Sequence, residues 1–248
     1  AVAVMGYAQT FYLLPISLFG ISIAASELPE LSRMRGEDRE VLAARVAVAL
    51  RRVAYFLIPS AIAYLALGDV VIAALYETGE FGAAQTLISW GVLGAFALGL
   101  PASASSRALS SVFYALRDTK TPARIAYLRV VVSLVIGVAA MLPLDQYGFS
   151  GLRLGAAGLA MGTSCAAWLE YVMLRRALAR QIGAHGPGTG PVVRLALAAT
   201  IAAAVGVTLQ LVLPPAQPWL VALETLLPFG VLYLVATALL GQGISLRR

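Results

Sequence analysis

The sequence is poor in the residues that build metal centres, disulfides and many catalytic sites. It contains one cysteine and one histidine among 248 residues. Because Cys165 is alone, an internal disulfide and a cysteine-based metal site are excluded. His185 lies in a stretch rich in glycine and proline, without neighbouring acids or other ligands, which argues against a metal or catalytic role. We therefore expect no catalytic residues, no metal and no cofactor.

Sequence motifs for chemistry are missing as well. The chain has no nucleophile–base pair, no glycine-rich loop that would cradle phosphates and no nucleotide-binding motif. An enzyme is therefore not expected. Because there is no ATP-binding segment, any transport would be passive or coupled to an ion or to the membrane potential.

Charged residues are scarce, whereas apolar residues dominate. Only 12% of the residues are charged and 60% are hydrophobic, against about 25% charged residues in a soluble domain. Apolar runs of roughly twenty residues recur, which is the length a helix needs to cross ~30 Å of hydrocarbon. The sequence thus predicts an all-α, polytopic membrane protein, because helices satisfy their own backbone in lipid. In a membrane protein the distribution of basic residues over the loops matters more than the net charge, which is +6 here. We therefore expect no nucleic-acid partner.

Seven membrane helices can be drawn along the chain. They cover residues 2–26, 47–67, 86–114, 125–144, 153–174, 193–213 and 220–241. Pro15 is expected to kink the first span. Gly151, Gly155, Gly158 and Gly162 form two G-x-x-x-G pairs in the fifth, which indicate a closely packed face.

Two connecting segments carry further expectations. Residues 27–52 form a charged stretch that is either a surface helix leading into the second span or a plain solvated connector. The second span is predicted to end before Asp69, because a carboxylate is costly in lipid. Residues 70–76 would then form a short helix at the interface. Glu170 and Glu224 lie near the ends of predicted spans and are expected at the interface.

The spans group into three parts. Residues 1–174 are expected to form a transmembrane bundle, 175–192 a cytoplasmic Gly/Pro linker, and 193–248 two additional helices with a cytoplasmic tail. The chain begins with alanine, inside an apolar run. We therefore expect the N-terminal part of a longer protein to precede it.

The basic residues are distributed unevenly over the loops. Segments 27–52, 115–129, 175–194 and 242–248 carry six, four, four and two of the eighteen Lys and Arg residues. Of the other two, Arg153 lies in an opposite loop and Arg107 inside a span. Since basic loops remain in the cytoplasm, the chain is predicted to begin outside and to end inside.

Arg107 is an intramembrane charge. It lies ten residues before Arg117, about 15 Å at the helical rise, which places it near the middle of a bilayer. A charge there costs roughly 2.5–3.5 kcal/mol, so the side chain is expected to face a cavity or a partner. The alternative is a side chain that extends along the helix to the interface. Ser103 and Ser110 share its helical face and are expected to line the same pocket.

Three segments carry a likeness to a known family. They read Y-A-Q-T-F-Y-L-L-P-I-S-L-F-G-I-S-I-A-A-S-E-L-P-E-L-S at 7–32, L-Y-E-T-G-E-F at 75–81 and R-A-L-S-S-V-F-Y-A-L-R-D-T-K-T-P at 107–122. Together they resemble the MurJ/MviN lipid II flippases of the multidrug/oligosaccharidyl-lipid/polysaccharide exporter superfamily. The resemblance extends over almost the whole chain.

The resemblance implies a fourteen-helix, two-lobed transporter that moves undecaprenyl-linked peptidoglycan precursor to the outer leaflet. This chain would supply the second lobe and two extra C-terminal helices, which form a groove for the lipid tail. The implied partners are lipid II, membrane lipids, the missing N-terminal lobe and cell-wall synthesis proteins. The implied location is the bacterial inner membrane, with a cytoplasmic C-terminus, and the implied process is peptidoglycan and cell-shape biogenesis.

The resemblance also implies site residues. Arg107 matches a position where the family places a basic residue facing the central cavity. In some members the first motif has an arginine that is thought to contact the substrate diphosphate, where this chain has Thr10, which offers only a hydroxyl. The predicted substrate-binding residues are therefore Arg107, Thr10, Ser103 and Ser110.

Two other functions fit the same residues. A drug/cation antiporter of the same superfamily would need carboxylates in the cavity, and this sequence shows none at membrane depth. A non-transporting membrane scaffold is the second alternative, against which the intact loop motifs argue.

The loop charges give a first test. Single cysteines at Thr119 and Gly188 are expected to react only with reagents added from the cytoplasm, and one at Gly82 only from outside. Site-directed labelling of intact and opened cells measures this. Labelling of Gly82 and Thr119 from one side would contradict the seven-span topology.

Overall fold

The computed structural model describes residues 2–22, 26, 39–77, 81–146, 148–149, 152–213 and 217–242. Helix α1 (Val2–Pro15) continues as a π-helix, Ile16–Ile21. The helices that follow are α2 (Arg39–Tyr76), α3 (Ala83–Ala97), α4 (Leu100–Ala115), α5 (Lys120–Leu144), α6 (Gly155–Ile182), α7 (Thr189–Val212) and α8 (Pro218–Leu239). Between α5 and α6, β1 (Gly148–Phe149) and β2 (Leu152–Arg153) pair antiparallel. The all-α prediction is confirmed apart from this two-residue ladder.

Four described helices are long and apolar enough to cross a membrane, namely α2, α5, α7 and α8. The pair α3–α4, bent by 40° at a short break, makes a fifth span if it is counted as one. These elements match five of the seven predicted spans. The total of seven stays a prediction.

Helix α2 contains both the predicted surface helix and the second span. It runs without interruption from Arg39 to a single non-helical residue, Leu67, with φ −129° and ψ 17°. The break therefore lies where the span was predicted to end. The residues after it are not a peripheral interfacial helix, since Val70 and Ile72 are buried in the protein core. Leu42 and Val46 are also buried, so the start of α2 packs on the bundle.

Helices α5 and α6 pack with their backbones in contact. A Cβ placed on Gly158 would lie 2.5 Å from the backbone nitrogen of Met141, and one on Gly162 would meet the backbone of Gly137. A Cβ on Gly155 would meet the carboxylate of Asp145 at 2.8 Å. The close-packing face is therefore confirmed for these glycines, while Gly151 lies outside the described residues.

The linker is shorter than predicted. Helix α6 continues to Ile182, so Arg175 and the residues after it up to that point are helical. Gly183, with φ 86°, ends the helix, and Thr189 begins α7. The non-helical connection is thus confined to residues 183–188, because an apolar side of α6 remains buried through Leu178 and Ile182. The division into three parts itself stays a prediction.

Helices α7 and α8 pack together and are joined to α2 by polar contacts. The hydroxyl of Tyr233 donates to the carbonyl of Tyr55 at 2.6 Å. The amide of Gln210 donates to Asp69 Oδ2 at 2.8 Å. This contact satisfies one carboxylate oxygen of the half-buried Asp69, whereas its Oδ1 is buried without a hydrogen-bond partner in the described structure.

The turn between α4 and α5 is made by the R-D-T-K-T-P motif. Arg117 adopts φ 62°, which reverses the chain. Asp118 then accepts hydrogen bonds from the Thr121 hydroxyl at 2.6 Å and its backbone nitrogen at 3.0 Å. These bonds hold the pKa of the Asp118 carboxyl below its usual value. Helix α4 ends at Ala115, so the predicted end of the third span at residue 114 is confirmed to within one residue.

Two matched glycine substitutions test the α5–α6 contact. Gly162→Ala is expected to lower the free energy of unfolding by about 1–3 kcal/mol, because the new methyl collides with backbone atoms. Gly91→Ala is the control, since a Cβ on Gly91 has open space and alanine is the better helix former. Thermal unfolding in detergent measures both. Equal midpoints for the two variants would contradict the close contact.

Candidate functional site

One face of α4 exposes polar side chains along the helix. Arg107 is exposed, Ser110 is half-buried one turn later, and Tyr114 is 50% exposed two turns later. Residues at these spacings share a helical face. In the part of the chain that the structure describes, Arg107 has no ion pair or hydrogen bond. The face therefore offers an unpaired guanidinium followed by two hydroxyls.

Ser103 is not part of this exposed face. It is 1% exposed, and its hydroxyl shares a 2.7 Å hydrogen bond with the hydroxyl of Tyr12 on α1. The ring of Tyr12 also stacks on Phe96, with 5.0 Å between ring centroids. Ser103 therefore joins α1 to α4 in this structure, and its contact with substrate stays a prediction.

Thr10 is exposed on α1, but at a different level from Arg107. Ala104, one turn before Arg107, lies against Gly20, where a Cβ would be 3.2 Å from the Ala104 Cβ. Thr10 precedes Gly20 by ten residues, about 15 Å along a helix. The Thr10 hydroxyl donates to the carbonyl of Gly6 at 3.0 Å within its own helix. The structure therefore does not bring Thr10 beside Arg107.

Helix α4 begins at a break in the membrane span, which the sequence analysis treated as one continuous helix. Pro101 has no backbone N–H, so the carbonyl of Ala97 loses its usual helical donor. The backbone nitrogen of Gly99 donates to the carbonyl of Phe96 at 3.0 Å. This acceptor lies three residues earlier in the chain, whereas in an α-helix it lies four residues earlier. The single span 86–114 is thus wrong in detail: it consists of α3 and α4, bent by 40°.

Two side chains of α6 supply donors to the carbonyls at this break. Ser164 donates to the carbonyl of Ala95 at 2.6 Å, and Trp168 Nε1 donates to the carbonyl of Leu98 at 2.8 Å. A Cβ on Gly99 would lie 2.6 Å from the Ser164 Cα, so glycine is what permits this approach. In a membrane an unpaired carbonyl costs several kcal/mol. The broken span is therefore held by α6.

Glu170 is buried in the interior of α6, and its predicted position at the membrane interface stays a prediction. It is 8% exposed and forms an ion pair with Arg129 on α5, with 2.6 Å between Nη1 and Oε2. Arg129 is itself inside α5 and not in the loop to which the sequence assigned it. Each charge offsets part of the cost of burying the other, so neither is free to bind a substrate.

The sequence does not predict the structural contacts of Ser164 and Trp168 or the Arg129–Glu170 pair. Pro101 in an apolar run was the available signal for the break, because a proline inside a helix always frees a carbonyl. Which residues donate to the carbonyls around the break depends on how α6 packs against α3 and α4. That arrangement is a property of the tertiary fold.

A tryptophan substitution tests the role of α6 at the break. Trp168→Phe is expected to lower the free energy of unfolding by about 1–3 kcal/mol, because the Leu98 carbonyl loses its donor. Trp219→Phe is the matched control, since Trp219 Nε1 donates to the exposed side chain of Gln217. Denaturation in detergent compares the two. A Trp168 variant as stable as the control would show that this hydrogen bond contributes nothing.

Comparison with known proteins agrees with this architecture. The family model described as "Lipid II flippase MurJ" matches residues 1–230. The chain is similar to a protein named "Probable lipid II flippase MurJ" from Rhizobium tropici, with 33% identity over 175 residues, 70% of this chain and 31% of that protein. It is also similar to "Lipid II flippase MurJ" from Thermosipho africanus, with 30% identity over 68% of this chain and 32% of that protein.

A solved structure has the same fold. The inward closed conformation of a lipid II flippase MurJ superposes with a TM-score of 0.75 over 96% of this chain and 47% of that one, at 23% identity. The chain thus spans about a third of the length of the curated relatives it matches. With a family model matching residues 1–230 and two relatives at 30% identity or more, the chain belongs to the MurJ family of lipid II flippases.

Proposed function

We propose that this chain forms the second half of a flippase that moves lipid II from the inner to the outer leaflet of the bacterial inner membrane. Lipid II is a peptidoglycan precursor attached to undecaprenyl diphosphate. The observation that carries the proposal is the exposed, unpaired guanidinium of Arg107 on a helix of a MurJ-family protein. A transporter of a diphosphate-linked lipid needs a positive group that remains available to the substrate.

The surroundings of Arg107 favour ligand binding over a purely structural role. A structural arginine at membrane depth pairs with an acid or with backbone carbonyls, as Arg129 does with Glu170. Arg107 has no such partner among the described residues. Its planar guanidinium can donate two parallel hydrogen bonds to phosphate oxygens. Ser110 and Tyr114 extend the same face and offer hydroxyls to the substrate.

The substrate path is proposed to lie between this chain and an N-terminal lobe. Repeat-built transporters bind their substrate where two lobes meet and rock against each other. The exposed face of α4 would be one wall of that path, with α1 beside it. Helices α7 and α8, docked on α2, would form the groove for the lipid tail. The basic loops and the C-terminus are proposed to face the cytoplasm, where cell-wall synthesis proteins are possible partners.

The acids of the structure argue against the drug/cation antiporter. Such a transporter needs a carboxylate that faces the cavity. Glu170 is buried and paired with Arg129, and Asp69 accepts from Gln210 at the junction of α2 and α7. The sequences of α1 and α4 contain no acid. The exposed face is therefore suited to an anion.

Substitution of Arg107 tests the proposed role in a full-length protein that includes the first lobe. Arg107→Ala is expected to weaken lipid II binding about 10- to 100-fold and to abolish flipping, because a charge-assisted hydrogen bond is lost. Arg107→Lys is expected to retain part of the activity, since lysine keeps the charge but not the fork. Rescue of flippase-depleted cells and native mass spectrometry with lipid II measure the two effects.

The control for this test is Arg124→Ala, which removes another exposed arginine outside the site. It is expected to leave binding and rescue unchanged. Membrane abundance must be equal for all variants. Undiminished lipid II binding by Arg107→Ala, or a loss of abundance with normal binding, would assign Arg107 a structural role.

A further inference from the structure

Prolines inside α1 and α2 each leave a backbone carbonyl without its helical donor. A residue in an α-helix donates its N–H to the carbonyl four positions earlier, and proline has no N–H. Pro15 in α1 therefore frees the carbonyl of Phe11, and Pro59 in α2 frees the carbonyl of Tyr55. An unpaired carbonyl is costly within a membrane. Both carbonyls therefore need a donor from another part of the protein.

A tyrosine hydroxyl from a neighbouring helix is that donor in both places. Tyr64 on α2 donates to the carbonyl of Phe11 at 2.9 Å. Tyr233 on α8 donates to the carbonyl of Tyr55 at 2.6 Å. Both donor side chains are buried, so these hydrogen bonds are shielded from water. The same arrangement at two prolines on two helices indicates that each hydroxyl replaces the N–H that its proline lacks.

Tyr64 is itself held by a third helix. Helix α2 is non-helical at Leu67, and Nε1 of Trp90 on α3 donates to the carbonyl of Tyr64 at 3.1 Å. A Cβ on Gly68 would lie 2.6 Å from the Trp90 ring, so glycine permits the ring to approach α2 here. Polar contacts therefore run from α3 through Tyr64 to Phe11 on α1.

The two parts of α1 are held in different ways. Before Pro15, the hydroxyls of Tyr64 and Tyr12 bind α1 to α2 and α4. After it, Ile16–Ile21 is a π-helix, a form that is found at kinks in α-helices. The contacts described for this segment are apolar, and the ring of Phe19 stacks on a phenylalanine of α2 with 4.2 Å between centroids. Apolar contacts can shift without leaving a polar group unpaired.

We propose that Tyr64 is a positioning residue for a hinge in α1. Its hydroxyl keeps Val2–Pro15 on α2, because the Phe11 carbonyl would lose its donor if that segment moved away. Bending of α1 is then confined to Ile16–Ile21. Thr10 lies on the fixed segment, so the hydroxyl also holds one wall of the substrate path in place. This last consequence rests on the proposed function, whereas the hinge itself does not.

The first test asks whether the Tyr64 hydroxyl depends on Pro15. Tyr64→Phe is expected to lower the thermal midpoint of the purified chain in detergent by about 2–4 °C, because a buried carbonyl loses its donor. In a Pro15→Ala background the same change is expected to have no cost, since the alanine N–H then donates to Phe11. Pro59→Ala is the matched control background, in which the full cost remains. Equal costs in the two backgrounds would contradict the assignment.

Tyr233 provides the reciprocal experiment. Tyr233→Phe is expected to lose its cost in the Pro59→Ala background and to keep it in the Pro15→Ala background. A hydroxyl that stabilises the fold without regard to proline would cost the same in both. That result would show that the pairing of tyrosines with prolines has no energetic meaning.

The second test measures the shape of α1. Spin labels on cysteines at Gln9 and Ser22, both exposed, flank the hinge at about 20 Å along a helix, and Cys165→Ser removes the exposed native thiol. Double electron–electron resonance is expected to show one narrow distance in the parent chain and a broader distribution in Tyr64→Phe. Tyr233→Phe is the control and is expected to leave the distribution unchanged, because its hydrogen bond lies on α2. An unchanged distribution in folded Tyr64→Phe, or equal broadening in the control, would overturn the hinge.

Discussion

The packing around α6 depends on one constraint: backbone carbonyls in a membrane need donors from the protein. Pro101 and the short turn at Gly99 break a span, and Ser164 and Trp168 donate to the carbonyls around the break. Helix α6 must therefore lie against both halves of the broken span. To do so while packing on α5 it needs small residues on its other side, where Gly158 meets the α5 backbone. A local defect in one span thus constrains how α6 and α5 pack.

The polar groups within the membrane helices fall into two kinds. Arg129 with Glu170, and Tyr12 with Ser103, have partners that join neighbouring helices. These contacts offset the cost of burying polar groups. The side chains that form them are therefore not available to bind a ligand. Arg107 belongs to the other kind, because it is exposed and has no partner in the described part of the structure. In α1 and α4, whose sequences contain no acid, the unpaired Arg107 is the charged residue left for a function.

The fold class and the closely packed face formed by the α6 glycines were predicted from the sequence alone, because hydrophobic runs and the spacing of small residues are local properties. Arg107 was identified in the same way, from a single charge in an apolar run. The ion pair of Glu170 was not predicted, because its partner Arg129 is 41 positions away. The same reason applies to the hydrogen bond between Ser103 and Tyr12, which are 91 positions apart, whereas the contact of Ser103 with substrate stays a prediction. Hydrophobic periodicity is a local pattern, so it does not predict contacts between residues that are distant in sequence.

The position of Thr10 bears on how a diphosphate would be held. Its hydroxyl is used within α1, and it lies at a different level from Arg107. The described exposed faces of α1 and α4 therefore present one positive charge, Arg107, to a group that carries more than one negative charge. The remaining charge must be neutralised from outside these two helices. In a two-lobed transporter the opposite lobe is the surface available for this. A diphosphate that both lobes contact would favour closure of the lobes around it. If one lobe could neutralise the diphosphate alone, binding would not be coupled to the movement of the lobes.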